Sequence, residues 1–127
     1  MDSAGSSGLA LFFIMSSDLP IAGWGDQLLL ILRRRTAFVV DGESMSPTLK
    51  SGDKAVIDPK ASIEAGDLVL ARHPYKQATR LIKRVTEISA TGEYFLAGDN
   101  ADESTDSRTF GRLLRTDILG KVVCKLN

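Results

Sequence analysis

The sequence has few of the residues that build disulfides and metal centres. Its 127 residues include one cysteine, Cys124, and one histidine, His73. One cysteine excludes an internal disulfide and a cysteine zinc cluster, and one histidine excludes a multi-histidine metal site. The carboxylates show no spacing typical of metal ligands. The sequence therefore predicts a protein that binds no metal and no cofactor.

An excess of charge is also missing, because sixteen Lys and Arg residues balance sixteen Asp and Glu residues. This balance gives no electrostatic attraction to nucleic acid, so we expect no nucleic-acid partner. The contents of 43% apolar and 25% charged residues are ordinary for a globular domain. Cys124 lies in an alternating, strand-like segment and is interpreted as a small core residue. A chain with a single cysteine suits a reducing compartment, and we expect a cytoplasmic location.

Long hydrophobic runs are absent as well. The apolar runs at residues 9–15 and 28–32 are far shorter than the ~20 residues that a membrane-spanning helix needs. Residues 1–35 are interpreted as an N-terminal extension, with Met15 as a second candidate start. Within it, residues 25–35 predict a short helix with arginines at its C-terminal end, packed on the domain. Contact of this segment with a membrane surface is the alternative, which the short run does not favour.

From residue 36 onward, short runs rich in Val, Ile, Leu and Phe alternate with turn signals. The predicted strands are residues 36–40, 54–58, 67–73, 79–88, 93–96 and 120–126. Only residues 109–117 suggest a helix in this part. Such spacing predicts a mainly β fold, in which residues 36–127 form one small antiparallel domain, a coiled sheet or partial barrel.

A candidate nucleophile, Ser44, lies in the segment DGESMSPTL at residues 41–49, directly after the first predicted strand. Gly42 allows backbone conformations that other residues avoid, and Pro47 restricts its own backbone and that of Ser46. A serine between such constraints has its hydroxyl oriented by the backbone. The alternative interpretation is an ordinary serine-containing turn.

A serine nucleophile needs a base, and Lys83 is the candidate. His73 lies at the end of a predicted strand and is interpreted as a turn histidine. Lys83 lies in the segment RLIKRV at residues 80–85, where strand alternation places it on one face with Leu81 and Val85. Burial there would lower the pKa of the amine and allow it to act as a base. The alternative is a structural lysine whose amine reaches solvent from an edge strand.

A third motif follows, GDN at residues 98–100 and STDSRTFG at residues 104–111. In order and spacing, the three motifs resemble the conserved boxes of type I signal peptidases, which are serine endopeptidases with a Ser/Lys dyad. The self-cleaving proteases of phage repressors share a motif like the first one, but the third motif favours the signal peptidases. The resemblance covers roughly residues 36–127.

The resemblance implies a role for each matching residue. Ser44 would be the nucleophile, Lys83 its general base, and Ser104 the hydroxyl that orients the lysine amine. Four further residues match positions that form ion pairs beneath the site: Asp99, Asp106, Arg108 and Arg84. The family's oxyanion hole uses the backbone N–H of the nucleophile, here Ser44.

Two departures from the family pattern indicate a particular subfamily. Gly42 stands where many signal peptidases carry a hydroxyl that contributes to the oxyanion hole. Only fourteen residues separate Lys83 from Gly98, where many relatives hold a large insertion. A compact form without a recognised membrane anchor is similar to the nickel-type superoxide dismutase maturation proteases, which are thought to remove an N-terminal propeptide.

The expected partner is therefore a superoxide dismutase precursor, and nickel would belong to that substrate. Two alternatives remain open. One is a general type I signal peptidase acting at a membrane surface. The other is a catalytically idle binding module that has kept the fold.

Overall fold

The computed structural model describes residues 35–126 of the chain. Seven strands and one short helix follow one another in this order: β1 (Thr36–Val39), β2 (Lys54–Asp58), β3 (Leu68–Arg72), β4 (Arg80–Ile88), β5 (Glu93–Ala97), α1 (Ser107–Phe110), β6 (Leu113–Leu114) and β7 (Ile118–Leu126). The predicted mainly β, antiparallel fold is thereby confirmed. The predictions for residues 1–34, including the N-terminal helix and its membrane alternative, lie outside the described residues.

The strands form one sheet in the order β1-β2-β7-β3-β4-β5-β6, and every neighbouring pair is antiparallel. The C-terminal strand β7 lies between β2 and β3, so the last part of the chain joins the two halves of the sheet. Strand β4 is internal, with β3 on one side and β5 on the other. Register shifts in the pairs β2–β7, β3–β7 and β4–β5 interrupt the regular ladder. Such irregularities bend strands and increase local twist, which suits a curled sheet.

Both faces of the curled sheet carry buried side chains. Strand β3 shows this directly, because its first four residues, an unbroken apolar run, are all buried. Alternation sends Leu68 and Leu70 to one core cluster and Val69 and Ala71 to the other. The first cluster also contains the anchors of the Ser44 loop, Met45 and Leu49.

The segment from residue 109 to residue 117 differs from the prediction of one helix. Helix α1 ends at Phe110, because Gly111 follows with φ of +87° and so leaves the helical conformation. The two-residue strand β6 then pairs with β5, and a 3₁₀ turn covers Arg115–Asp117. Local propensity suggested a helix here, but pairing with the edge of β5 determines the structure.

Candidate active site

Ser44 lies in the loop that connects β1 to β2. Two hydrogen bonds close the base of this loop, from Val40 N to Asp53 O at 2.8 Å and from Gly52 N to Val40 O at 2.8 Å. Met45 and Leu49 are buried, with 1% and 0% of their surface exposed, and they fix the loop to the core. The half-buried Ser44 is therefore held by an apolar anchor that follows it directly.

A small pocket opens beside Ser44 and has a volume of about 60 Å³. Its wall is mainly apolar, and two charged residues also contribute to it. The lining residues other than Ser44 are Phe38, Val40, Asp41, Met45, Arg80 and Ile82. Ser44 therefore forms part of the wall of a small, mainly apolar pocket.

Lys83 lies on the internal strand β4 and is 4% exposed. In the strand register it faces Val69 of β3, which is fully buried. Its amine donates a hydrogen bond of 3.0 Å to Ser104 Oγ. The alternative of a solvent-reaching lysine on an edge strand does not fit this position, because β4 is internal and the side chain is covered.

The surroundings of Lys83 lower the pKa of its amine below the ordinary value of 10.5. Burial is the main cause, since it disfavours the charged form. The negative charge of Asp106 opposes this effect, and the positive charge of Arg108 adds to it. The neutral amine that a general base requires is therefore more abundant here than in a free lysine at the same pH.

Asp106 is the most heavily bonded carboxylate of the site, and its side chain is 0% exposed. It accepts hydrogen bonds from Gly98 N at 2.9 Å, Ser104 Oγ at 2.7 Å and Arg108 Nη2 at 2.8 Å. It also caps α1 by accepting from the N–H of Arg108. Burial alone would raise the pKa of Asp106, but the hydrogen bonds from Arg108, Gly98 and Ser104 outweigh it and hold the pKa well below its usual range.

A second ion pair joins Arg84 to Asp99. Two hydrogen bonds connect them, with lengths of 2.8 and 2.7 Å, and the Arg84 guanidinium also donates to Gly66 O at 2.7 Å. Thr48 donates to the same carboxylate at 2.6 Å. The hydrogen bonds from Arg84, together with that from Thr48, lower the pKa of Asp99 against the opposing effect of burial. This network ties the end of the Ser44 loop to the start of the third motif.

Gly98 lies directly against both Ser104 and the backbone of Ser44. A Cβ atom at this position would collide with the Ser104 side chain and would lie 2.7 Å from the carbonyl oxygen of Ser44. Ser44 and the Lys83–Ser104 pair therefore flank the same glycine. Among the described residues, the Lys83 amine donates to Ser104 and not to Ser44.

Of the seven residues predicted for the site, the structure joins six into two bonded groups beneath the Ser44 loop. One group contains Lys83, Ser104, Asp106 and Arg108, and the other contains Arg84 and Asp99. Sequence reasoning missed Thr48 and Asn100. Thr48 lies inside the first motif and Asn100 inside the third, but no feature of the sequence indicates that their side chains connect these two motifs.

His73 follows β3 directly and organises the turn toward β4. Its Nδ1 atom accepts hydrogen bonds from Tyr75 N at 3.0 Å and Lys76 N at 3.1 Å. The ring also packs against Phe110, with ring centroids 4.7 Å apart. These contacts are typical of a histidine that stabilises a turn, which agrees with the interpretation of His73 from the sequence.

Residues 35–126 lack two features, a cluster of metal ligands and a membrane-spanning helix. No group of three or more His, Cys, Asp or Glu side chains in this part of the chain is arranged to hold a metal ion. Within the same residues, no helix has the length and apolar character needed to cross a membrane.

Comparison with known protein families gives a match over most of the chain. The family described as Peptidase S24-like matches residues 22–123, which include all three motifs. The chain belongs to the Peptidase S24-like family. It is thus a member of a peptidase family, and the motifs around Ser44, Lys83 and Asp106 lie within the matched region.

This Peptidase S24-like chain is also similar to mitochondrial inner membrane protease subunit 1 of several animals. The Xenopus tropicalis protein is 28% identical over 111 residues, covering 69% of this chain and 66% of the relative. The Mus musculus and Homo sapiens proteins are 28% and 27% identical over 108 residues, covering 67% of this chain and 65% of each relative. The chain therefore spans slightly less than two thirds of the length of these relatives.

The comparisons correct one prediction. A cytoplasmic location was expected from the cysteine content and the short apolar runs. That prediction is wrong, because the relatives are by name subunits of a protease of the mitochondrial inner membrane. A chain with one cysteine is compatible with either location, so the cysteine content could not decide between them.

Proposed function

We propose that this Peptidase S24-like protein is a serine endopeptidase in which Ser44 is the nucleophile and Lys83 the general base. One observation carries the proposal. Lys83 is 4% exposed, and the hydrogen bond of its amine goes to a neutral hydroxyl rather than to a carboxylate. A buried lysine without a direct charged partner is costly unless its uncharged form is used.

In the proposed acylation step, Ser44 Oγ adds to the carbonyl carbon of the scissile peptide bond. The hydroxyl proton passes to the Lys83 amine, and the carbonyl electron pair moves to the oxygen to form the tetrahedral oxyanion. Collapse of this intermediate breaks the C–N bond, and Lys83 returns the proton to the leaving amine. Lys83 then activates the water that hydrolyses the acyl-enzyme.

The missing Ser44–Lys83 hydrogen bond is compatible with this role. Catalytic hydrogen bonds are commonly long without substrate and tighten when the substrate binds. Ser104 holds the amine in one orientation, and Gly98 permits the close approach of Ser104 to the Ser44 loop. Asp106 is occupied by Arg108, Gly98 and Ser104, so it orients the hydroxyl without pairing directly with the amine.

For the substrate, we propose a precursor protein from which an N-terminal propeptide is removed. The compact hairpin between Lys83 and Gly98 supports the nickel superoxide dismutase precursor as that substrate, because this short connection carries the resemblance to its maturation proteases. The similarity to inner membrane protease subunits supports a second substrate class, precursors presented at a membrane surface. We propose membrane association for the chain and a catalytic domain comprising residues 36–127.

The test is incubation of the purified full chain with nickel superoxide dismutase precursor, followed by mass analysis of the new N-terminus. The Ser44→Ala variant serves as the matched control. Cleavage at one site that occurs with the wild type and not with Ser44→Ala supports both the peptidase activity and this substrate. A parallel incubation with a membrane-anchored precursor in vesicles tests the second substrate class. Absence of Ser44-dependent cleavage in both arms contradicts the peptidase assignment and favours an idle binding module.

A further inference from the structure

Asn100 contacts the backbone on both sides of Ser44. Its side-chain Nδ2 donates to the Glu43 carbonyl oxygen at 3.0 Å, and its backbone N–H donates to the Ser44 carbonyl oxygen at 2.8 Å. These are the two peptide groups that meet at the Ser44 Cα atom. We propose that Asn100 is a positioning residue that orients the Ser44 backbone N–H as the oxyanion donor. The proposal rests on the function proposed above for Ser44.

The geometry of the peptide group connects Asn100 to that N–H. The Glu43 carbonyl and the Ser44 N–H belong to one planar trans peptide, so they point in opposite directions. A hydrogen bond that fixes the carbonyl therefore also fixes the direction of the N–H. Within residues 35–126 the Ser44 N–H donates no hydrogen bond, so it remains available to a substrate.

The orientation of this N–H matters more here than in a site with a second donor. Gly42 offers no side-chain hydroxyl, and its own N–H donates to Ser51 Oγ at 3.2 Å. The Ser44 N–H is then the oxyanion donor that the nucleophile itself supplies. Loss of one oxyanion donor reduces kcat by about 10²- to 10³-fold in a well-studied serine protease.

Asn100 is one of two groups that hold the Glu43 carbonyl in place. The Glu43 carbonyl also accepts a hydrogen bond from Ser46 N at 3.1 Å. Removal of the Asn100 side chain therefore loosens the peptide group without releasing it. We expect Asn100→Ala to lower the acylation rate by roughly tenfold, less than complete loss of the donor. Asn100→Asp should cost more, because a carboxylate cannot donate to Glu43 O and would repel both that carbonyl and the developing oxyanion.

Hydrolysis of 4-nitrophenyl acetate by the full chain measures this step without the natural substrate. Ser44 Oγ attacks the acetyl carbon, its proton passes to Lys83, and 4-nitrophenolate leaves as the coloured product. The acylation rate and KM are compared across pH for the wild type, Asn100→Ala, Asn100→Asp and Ser44→Ala. Glu103→Ala is the matched control, because Glu103 is an exposed residue of the same loop.

The expected result is a lower plateau rate for both Asn100 variants with KM unchanged, and an unchanged pH midpoint in Asn100→Ala. In that variant the midpoint should stay constant because no charge is altered and Asn100 does not contact Lys83, whereas general loosening of the site would move it. Asn100→Asp adds a negative charge, which favours the charged amine and should move its midpoint to higher pH. Glu103→Ala should match the wild type. A wild-type rate that depends on Ser44 but is unchanged in folded Asn100→Ala and Asn100→Asp overturns the positioning role alone. A wild-type rate equal to that of Ser44→Ala overturns the proposed function and, with it, this inference.

Discussion

The amine of Lys83 is separated from the carboxylate of Asp106 by one hydroxyl group, that of Ser104. Lys83 donates to Ser104 Oγ at 3.0 Å, and Ser104 donates onward to Asp106 at 2.7 Å. A direct contact between amine and carboxylate would stabilise the charged amine. The intervening hydroxyl orients the amine and keeps the two charges apart, which leaves burial as the largest effect on the pKa of Lys83.

The first prediction concerns the pH dependence of peptide cleavage. The pKa of Lys83 is lowered from 10.5, and the active form is the neutral amine, which predominates above its pKa. Activity should therefore rise with pH through a midpoint below 10.5. A pH–rate profile of the wild type measures this midpoint. A midpoint at or above that of free lysine would contradict the proposed protonation state.

The second prediction concerns Arg108. Its positive charge lowers the pKa of Lys83, and its guanidinium occupies Asp106 through bonds of 2.9 and 2.8 Å. Arg108→Ala should therefore raise the pKa of Lys83 and shift the activity profile to higher pH. Arg112→Ala is the matched control, because it removes the same charge from a pair with Glu87 at the surface. Equal midpoints in the two folded variants would argue against this role of Arg108.

Ser104 gives the third prediction. Ser104→Ala removes the acceptor that orients the Lys83 amine, and it also removes one hydrogen bond to Asp106. We expect the rate to fall by roughly tenfold or more, but by less than in Lys83→Ala, because the base itself remains. Ser89→Ala, which changes a serine of the β4–β5 turn, should retain the wild-type rate. Full activity of Ser104→Ala would show that the amine needs no such orientation.

The fourth prediction concerns His73. Asparagine can present an acceptor oxygen close to the position of Nδ1, so His73→Asn should keep the hydrogen bonds from Tyr75 N and Lys76 N. Most of the turnover should remain. The measurement is the rate of precursor cleavage beside a thermal unfolding curve. A loss as large as in Ser44→Ala, with the fold intact, would make His73 the base in place of Lys83.

Six of the seven strands were predictable because they depend on local pattern, whereas β6 lies in the segment predicted as a helix. Strand β2 was predicted with its observed bounds, and β4 differs by one residue. The same alternation places Lys83 on one face with Leu81 and Val85, but it does not decide its burial, because Ile82 on the opposite face is buried too. The insertion of β7 between β2 and β3 and the pairing of β6 with β5 were not predictable, because they depend on contacts far apart in sequence.

The same limit applies to the candidate site. The motifs identify Ser44 and Lys83 as candidates, but no periodicity relates Asn100 to Glu43, which lie 57 residues apart. The bond from Thr48 to Asp99 joins residues 51 positions apart. Such contacts are set by how the loops close over the curled sheet, and a sequence pattern carries no information on that closure.

The most direct test of the central claim is the cleavage of precursor by purified Ser44→Ala, Lys83→Ala and the double variant, followed by intact mass analysis. Each single variant is expected to abolish processing while the fold remains. The double variant should be no worse than either, because the two residues act as a unit. Substantial cleavage by Lys83→Ala, at a site that the wild type also uses, would contradict the Ser/Lys mechanism.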